Sequence, residues 1–290
     1  MSRAMKTSIH VGCAPAADVE TDIRNARAAG FDATELSIPK LERYFEQDPQ
    51  AADRLPDSLG DLAVSMVDVL MPVERIARGH HHELLDAGDR WARLAQRVGC
   101  PALQVVVLNE FDVTTWREQR DIIVASLRRL ADRTFPHGVR LGIEPVCFSQ
   151  FSSLDQALEV IDLVGRERAG IVLDTWHLWV GETSWPEVAA LDARDIVTVQ
   201  IADSGPRKGD AWADDDRDEL PGRGLVPLAE GIDAILRTGY AGYWSAELFG
   251  RRHAEREPAE LFRDVQRHLV ACLDRASRGI ADGYETRTER

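Results

Sequence analysis

The sequence predicts a single-domain α/β protein of the (β/α)8 TIM-barrel class. Three observations carry this expectation. A short β-branched run, a turn and a pattern of 3.6-residue period recur eight times, and the units fill most of the 290 residues. Strands that alternate with helices pair in parallel through right-handed crossovers, and eight such units close a barrel of about 250 residues. A doubly wound sheet usually carries GxGxxG after its first strand, where this chain has Gly12-Cys13-Ala14-Pro15.

The units follow in order. Run one is Thr7–Cys13, with a helix around Ala17–Ala29 stopped by Gly30. Run two, Phe31–Ile38, leads to a helix near Ala51–Leu62, and run three, Val64–Leu70, to one near His81–Val98. Run four, Ala102–Leu108, precedes Thr115–Asp132, and run five, Val139–Pro145, precedes Leu154–Arg168. Run six is Gly170–His177, with a shorter helix near Trp185–Leu191. Run seven, Ile196–Asp203, leads to Leu225–Thr238, and run eight, Gly242–Phe249, to Pro258–Ala276. No composition shift divides the chain, so one barrel is expected over 1–278, with 279–290 a charged, apolar-poor and disordered tail.

Lys and Arg number 35 against 49 Asp and Glu, a formal charge of −14. That surplus of acid argues against nucleic acid, which is held through a basic footprint. No run approaches the roughly 20 apolar residues of a membrane span, and no apolar leader precedes the first strand. Cys13, Cys100, Cys147 and Cys272 lie far apart without a CxxC pair, as expected of free thiols in the cytoplasm. Lys6, Lys40 and Lys208 are the only lysines, and none ends a strand, which speaks against a Schiff-base aldolase.

Barrel chemistry lies where the strands end. Strand five ends in Glu144-Pro145, strand six in Asp174-Thr175-Trp176-His177, strand seven in Gln200-Ile201-Ala202-Asp203 and strand eight in Glu247-Leu248. A lone rim carboxylate reads most simply as half of a salt bridge. Three from neighbouring strands repel one another by several kcal/mol unless a cation or protons neutralise them. An all-oxygen set suits a hard or borderline divalent ion.

The segments IEP at 143–145, LDTWH at 173–177, QIAD at 200–203 and AELF at 246–249 resemble the xylose-isomerase-like sugar isomerase/epimerase superfamily. So does the Gly30-Phe31-Asp32-Ala33-Thr34-Glu35 opening of strand two, and the likeness spans essentially the whole chain. That group includes ketose 3-epimerases, hydroxypyruvate isomerases, inosose dehydratases and the endonuclease IV branch. The resemblance implies Glu144, Asp174, Gln200 and Glu247 as metal ligands and Glu144 and Glu247 as the acid/base pair. It implies one Mn2+ or Mg2+, with Co2+ or Zn2+ as further options, and His177 and Arg207 on the substrate. Many epimerases have His where this chain has Gln200; the QIAD-x-x-x-Arg207 form resembles the hydroxypyruvate-isomerase-like branch more closely. An amide oxygen also ligates such ions.

The function implied is isomerisation or epimerisation of a small sugar or hydroxy-carbonyl compound. The metal stabilises an enediolate, and two glutamates on strands three apart in the ring move the proton. A lyase dehydrating a keto-inositol through the same enolate is the alternative. An endonuclease IV-like enzyme would need many more rim histidines than His177 and His10, and a non-catalytic partner subunit would not need the ligand set. A homo-oligomer is the assembly common among relatives.

Weaker signals remain. Glu35 is a candidate for the substrate or the shell behind the metal, against a structural salt bridge. Asp203 is expected to hold Arg207 or His177. Trp176, Trp179, Phe148 and Phe151 could wall a sugar ring or pack the core. His80-His81-His82 reads as a solvated helix start and Asp214–Glu219 as a solvated acidic face. The long loop from Asp203 to Gly224 reads as a lid or interface, and its Gly205–Gly209 segment as a weak phosphate or carboxylate candidate.

Overall fold

The computed structural model describes residues 5–253 and 255–288. Eight parallel strands close in sequence order, with the last paired to the first. They are β1 (Lys6–His10), β2 (Ala33–Ser37), β3 (Ala63–Leu70), β4 (Ala102–Val106), β5 (Arg140–Glu144), β6 (Ala169–Asp174), β7 (Ile196–Ile201) and β8 (Tyr243–Ala246). Around them lie α1 (Val19–Ala29), α2 (Ile38–Gln47), α3 (Ala51–Leu59), α4 (Arg78–Arg97) and α5 (Trp116–Thr134). The ring continues with α6 (Leu154–Val164), α7 (Thr175–Val180), α8 (Trp185–Ala189), α9 (Leu228–Arg237) and α10 (Pro258–Thr288). The expected barrel class is the one observed.

Local signals set the helix ends. Asp18 caps α1 by accepting from the Thr21 amide at 2.7 Å, and Gly30 ends it at φ +83°. Ser153 and Gln156 cap α6 reciprocally. Two helices were absent from the sequence reading. Pro39 near the start of α2 is compatible with its first turn, and the Asp48-Pro49 step separates α2 from α3. Run six was expected to stay extended through His177, but α7 begins directly after Asp174. The Asp174 carboxylate accepts the amides of Trp176 at 2.7 Å and His177 at 2.9 Å, which turns the chain. α10 continues to Thr288 without a break at the expected boundary after 278.

Inside the barrel the side chains form two tiers. Met66, Ala102 and Val172 make a small apolar plug, with Val197 against it. Gly142 sits in this plug because a Cβ there would lie 2.9 Å from a Val172 methyl. Side chains alternate along a strand, so residue i+2 faces the same way. Two positions after Met66, Ala102, Gly142 and Val172 stand Asp68, Gln104, Glu144 and Asp174. The register continues the upper tier: His10 lies beside Glu35, and Asp174 beside Gln200. A polar mouth therefore rests on an apolar floor. All four cysteines are free, and no helix among the described residues is long and apolar enough to cross a membrane.

Candidate active site

Glu144 ends β5, Asp174 ends β6, and Glu247 follows β8, its amide extending the ladder to the Ile201 carbonyl at 3.0 Å. Each offers an oxygen within 4.8 Å of the other two, and all three residues are buried. Burial pushes the carboxyl of Glu144 well above its ordinary value, and the neighbouring Asp174 charge adds to this. Burial raises Glu247 likewise, against the pull of Arg217. Asp174 is pushed up by burial too, but Arg217 and His177 outweigh that and hold it below the ordinary value.

Gln200 is fully buried on β7 next to Asp174. Its Nε2 donates to Glu35 Oε2 at 3.0 Å and to Gln104 Oε1 at 3.4 Å, while Gln104 Nε2 donates to Glu144 Oε2 at 2.8 Å. That leaves Gln200 Oε1 buried without a hydrogen-bond partner. An orphaned amide oxygen beside three converging carboxylates fits a hard divalent ion. Glu144, Asp174, Gln200 and Glu247 are the residues that could hold one.

His177, in α7, is neutral. Its Nδ1 accepts the Cys147 amide at 3.2 Å, and its Nε2 faces both the Arg217 Nη1 donor at 3.4 Å and Glu144 Oε1 at 3.8 Å. Burial and then Arg217 lower its pKa to about 3. Trp176 does not line open space. It is 0% exposed, packed edge-on against His177 at 4.9 Å and under Arg217 at 5.2 Å. Phe151 is also core, and Trp179 packs on Trp212 at 5.3 Å. Phe148 and Phe249 are exposed, edge-on to His177 and His10 respectively. Glu35 is buried beneath the mouth, and burial pushes its carboxyl up to about 7.

The loop after β7 departs furthest from the sequence reading. Arg207 is exposed and stays outside the cluster; the guanidinium in the mouth is that of Arg217. Asp216 accepts the amides of Lys208 and Ala213, forming a tight turn that drives Arg217 inward. Arg217 Nη2 bonds Asp174 Oδ2 at 2.6 Å and also Glu247 Oε2. The run 214–219 is therefore not a solvated face, since Asp216, Arg217 and Asp218 are all buried. Lys208, in the suggested phosphate segment, is bonded to Asp218 at 2.7 Å. Asp203 holds neither Arg207 nor His177. It accepts the amides of Ser204, Gly222, Gly224 and Val226, pinning both ends of the loop. The triple histidine divides: His80 and His82 are exposed, and His81 is buried.

Residues 23–272 match the model of the xylose isomerase-like TIM barrel. The chain belongs to that family. Within it, the chain is 25% identical over 261 residues to inosose isomerase of Bacillus subtilis (strain 168), covering 89% of this chain and 94% of that protein. It is 27% identical over 225 residues to 3-dehydroshikimate dehydratase of Pseudomonas aeruginosa, covering 77% of this chain but 34% of that protein. A crystal structure of the IolI protein with a bound zinc atom superposes at a TM-score of 0.87 and 20% identity, covering 94% and 99% of the two chains. Members of this family resembling the chain are thus isomerases and dehydratases, and its own mouth has a donor set suited to a divalent ion.

Asp68, Gln104 and Arg217 are mouth residues that the sequence does not single out, and His10 is there the rim histidine expected of it, beside Glu35. A strand-end signal existed for Asp68, in Met66-Val67-Asp68, and for Gln104 in β4. For Arg217 there was none, because a loop brings it in.

Proposed function

We propose that this chain is a divalent-metal-dependent isomerase or epimerase of a small polyhydroxy ketone, with Glu144 and Glu247 as the proton-transfer pair. The observation that carries the reading is the convergence of Glu144, Asp174 and Glu247 within 4.8 Å beside the partnerless Gln200 Oε1. A cation held there supplies Lewis acidity toward a substrate carbonyl, which makes the neighbouring C–H acidic.

The protein's own groups supply the rest. Glu144 is held at Oε2 by Gln104, and Glu247 at Oε2 by Arg217, so each keeps its Oε1 for a proton. Standing on β5 and after β8, they flank the space between them, and one can remove the proton that the other returns. His177 turns the Nε2 edge of its neutral imidazole toward Glu144 Oε1, where it can meet a substrate oxygen. Burial excludes water and strengthens each of these contacts.

Dehydration on the same site is the second reading, favoured by the likeness to 3-dehydroshikimate dehydratase. Both begin with proton removal and differ in what leaves. The test is turnover of ketoses, inososes, hydroxypyruvate and 3-dehydroshikimate after chelation and Mn2+ reconstitution, with products followed by NMR. Metal-dependent isomerisation is expected. Water loss supports the second reading, and turnover indifferent to chelator contradicts both.

A further inference from the structure

One corner of the mouth borders the groups assigned above: His10 Nε2 lies 3.8 Å from Glu247 Oε1, and Glu35 accepts from Gln200 at 3.0 Å. His10 at the end of β1, Glu35 on β2 and Asp68 on β3 each offer a donor atom within 4.8 Å of the others, and all are buried. The trio invites a second cation site, but the hydrogen bonds oppose it. The Gly12 amide donates to His10 Nδ1 at 3.0 Å, so that nitrogen carries no proton. The proton sits on Nε2, which donates to Asp68 Oδ2 at 2.5 Å. A protonated nitrogen has no lone pair for a metal. A Cβ at Gly12 would lie 2.6 Å from the His10 ring, so glycine is what allows the amide this close.

The effect of this arrangement falls on Asp68. One oxygen is fixed by His10, while among the described residues no donor is hydrogen-bonded to Oδ1. The side chain retains 8% exposure. Close by, Glu35 is buried, with its Oε2 taken by Gln200. Asp68 Oδ1 is thus the open acceptor of this corner. Phe249, 39% exposed, stands edge-on to His10 at 5.2 Å and offers an apolar face beside them.

We propose that Asp68, held by His10, forms a second subsite that accepts a hydroxyl of an uncharged keto-polyol at a carbon remote from the reacting carbonyl. This deepens the reading above and rests on it for the position of that carbonyl. The absence of charge follows from the surroundings. The guanidinium in the mouth, Arg217, is engaged by Asp174 and Glu247. A carboxylate or phosphate entering here would meet the like charge of the Asp68 carboxylate, whereas a hydroxyl completes the open acceptor. The subsite therefore selects a cyclic or linear keto-polyol over a carboxylate-bearing ring ketone.

The test is calorimetric binding to Mn2+-loaded full-length protein of myo-inositol, a polyol that cannot enolise, and of shikimate, a carboxylate-bearing ring. Wild-type protein is expected to bind myo-inositol more tightly than shikimate. Asp68→Asn should weaken myo-inositol binding by about tenfold or more, as for loss of a hydrogen bond to a charged group. Its Mn2+ stoichiometry should stay at one. His10→Ala should weaken myo-inositol binding in the same way and His10→Gln less, because the amide can still donate to Asp68. Should Asp68→Asn not fold, the two His10 variants decide. The 15N shifts of the His10 ring report its tautomer without substrate, and Nε2–H is expected. Equal polyol affinity in wild type and variants, preference for shikimate, or loss of a second bound Mn2+ in Asp68→Asn would overturn the proposal. Polyol binding without deuterium exchange of a ketone in D2O would instead sink the isomerase reading and leave the subsite standing.

Discussion

Arg217 and Arg207 stand ten positions apart in one loop and have opposite fates. Arg217 is 2% exposed and joined to Asp174 and Glu247. Removing one member of a buried ion pair leaves its partners uncompensated, which costs about 3–5 kcal/mol. Arg217→Gln should therefore lower the melting temperature of chelated protein sharply, and Mn2+ should restore part of the loss by taking over the carboxylates. Arg207→Ala should leave both melting and turnover near wild type. The glutamates give a second residue-level expectation: Glu144→Gln and Glu247→Gln should each abolish proton exchange while circular dichroism stays unchanged. The three carboxylates were legible because a strand end fixes where a side chain points. Arg217 was not, because its position depends on Asp216 closing a turn around the Lys208 and Ala213 amides. Nothing in the order of charges along 207–219 says which arginine turns inward.

Among the elements, the loop after β7 has a single anchor of unusual reach. Asp203 accepts four amides, and a Cβ at Gly224 would lie 2.3 Å from its Oδ1. Asp203→Ala should speed hydrogen exchange across 204–226 and cost about 1–3 kcal/mol for the amides left unpaired. Exchange in β1 to β6 should not change; uniform acceleration would mean that Asp203 supports the whole barrel. The same carboxylate logic explains why run six ended early. Asp174 serves as helix cap and as a member of the mouth cluster, so the turn into α7 that places His177 is set by the cluster itself. Periodicity alone reads Gly170–His177 as one continuous strand, since Thr175 and Trp176 suit a strand as well as a helix.

At the scale of the molecule, the eightfold repeat was sufficient to predict the closed barrel, because alternation and crossover handedness leave few other topologies. The mouth's chemistry makes the barrel's stability depend on pH. Glu144, Glu247 and Glu35 all have carboxyl pKa values raised by burial, Glu35 to about 7. A raised acid keeps its proton in the fold at a pH where the unfolded chain has released it. Its contribution to stability therefore falls as pH rises from the ordinary carboxylate range toward 7. A divalent ion replaces those protons, so it binds better as they leave. The rise in melting temperature on adding Mn2+ to chelated protein should be larger at pH 7.5 than at pH 5.5. An equal rise at both would place the ion elsewhere.

The central claim is that these carboxylates hold a cation and move a substrate proton. It is tested most directly by incubating a keto-polyol with the enzyme in D2O and following deuterium at the carbon beside the carbonyl by NMR. Incorporation is expected with Mn2+ present, with its loss on chelation and none with Glu144→Gln or Glu247→Gln. Incorporation that persists in chelated protein or in either variant would contradict it.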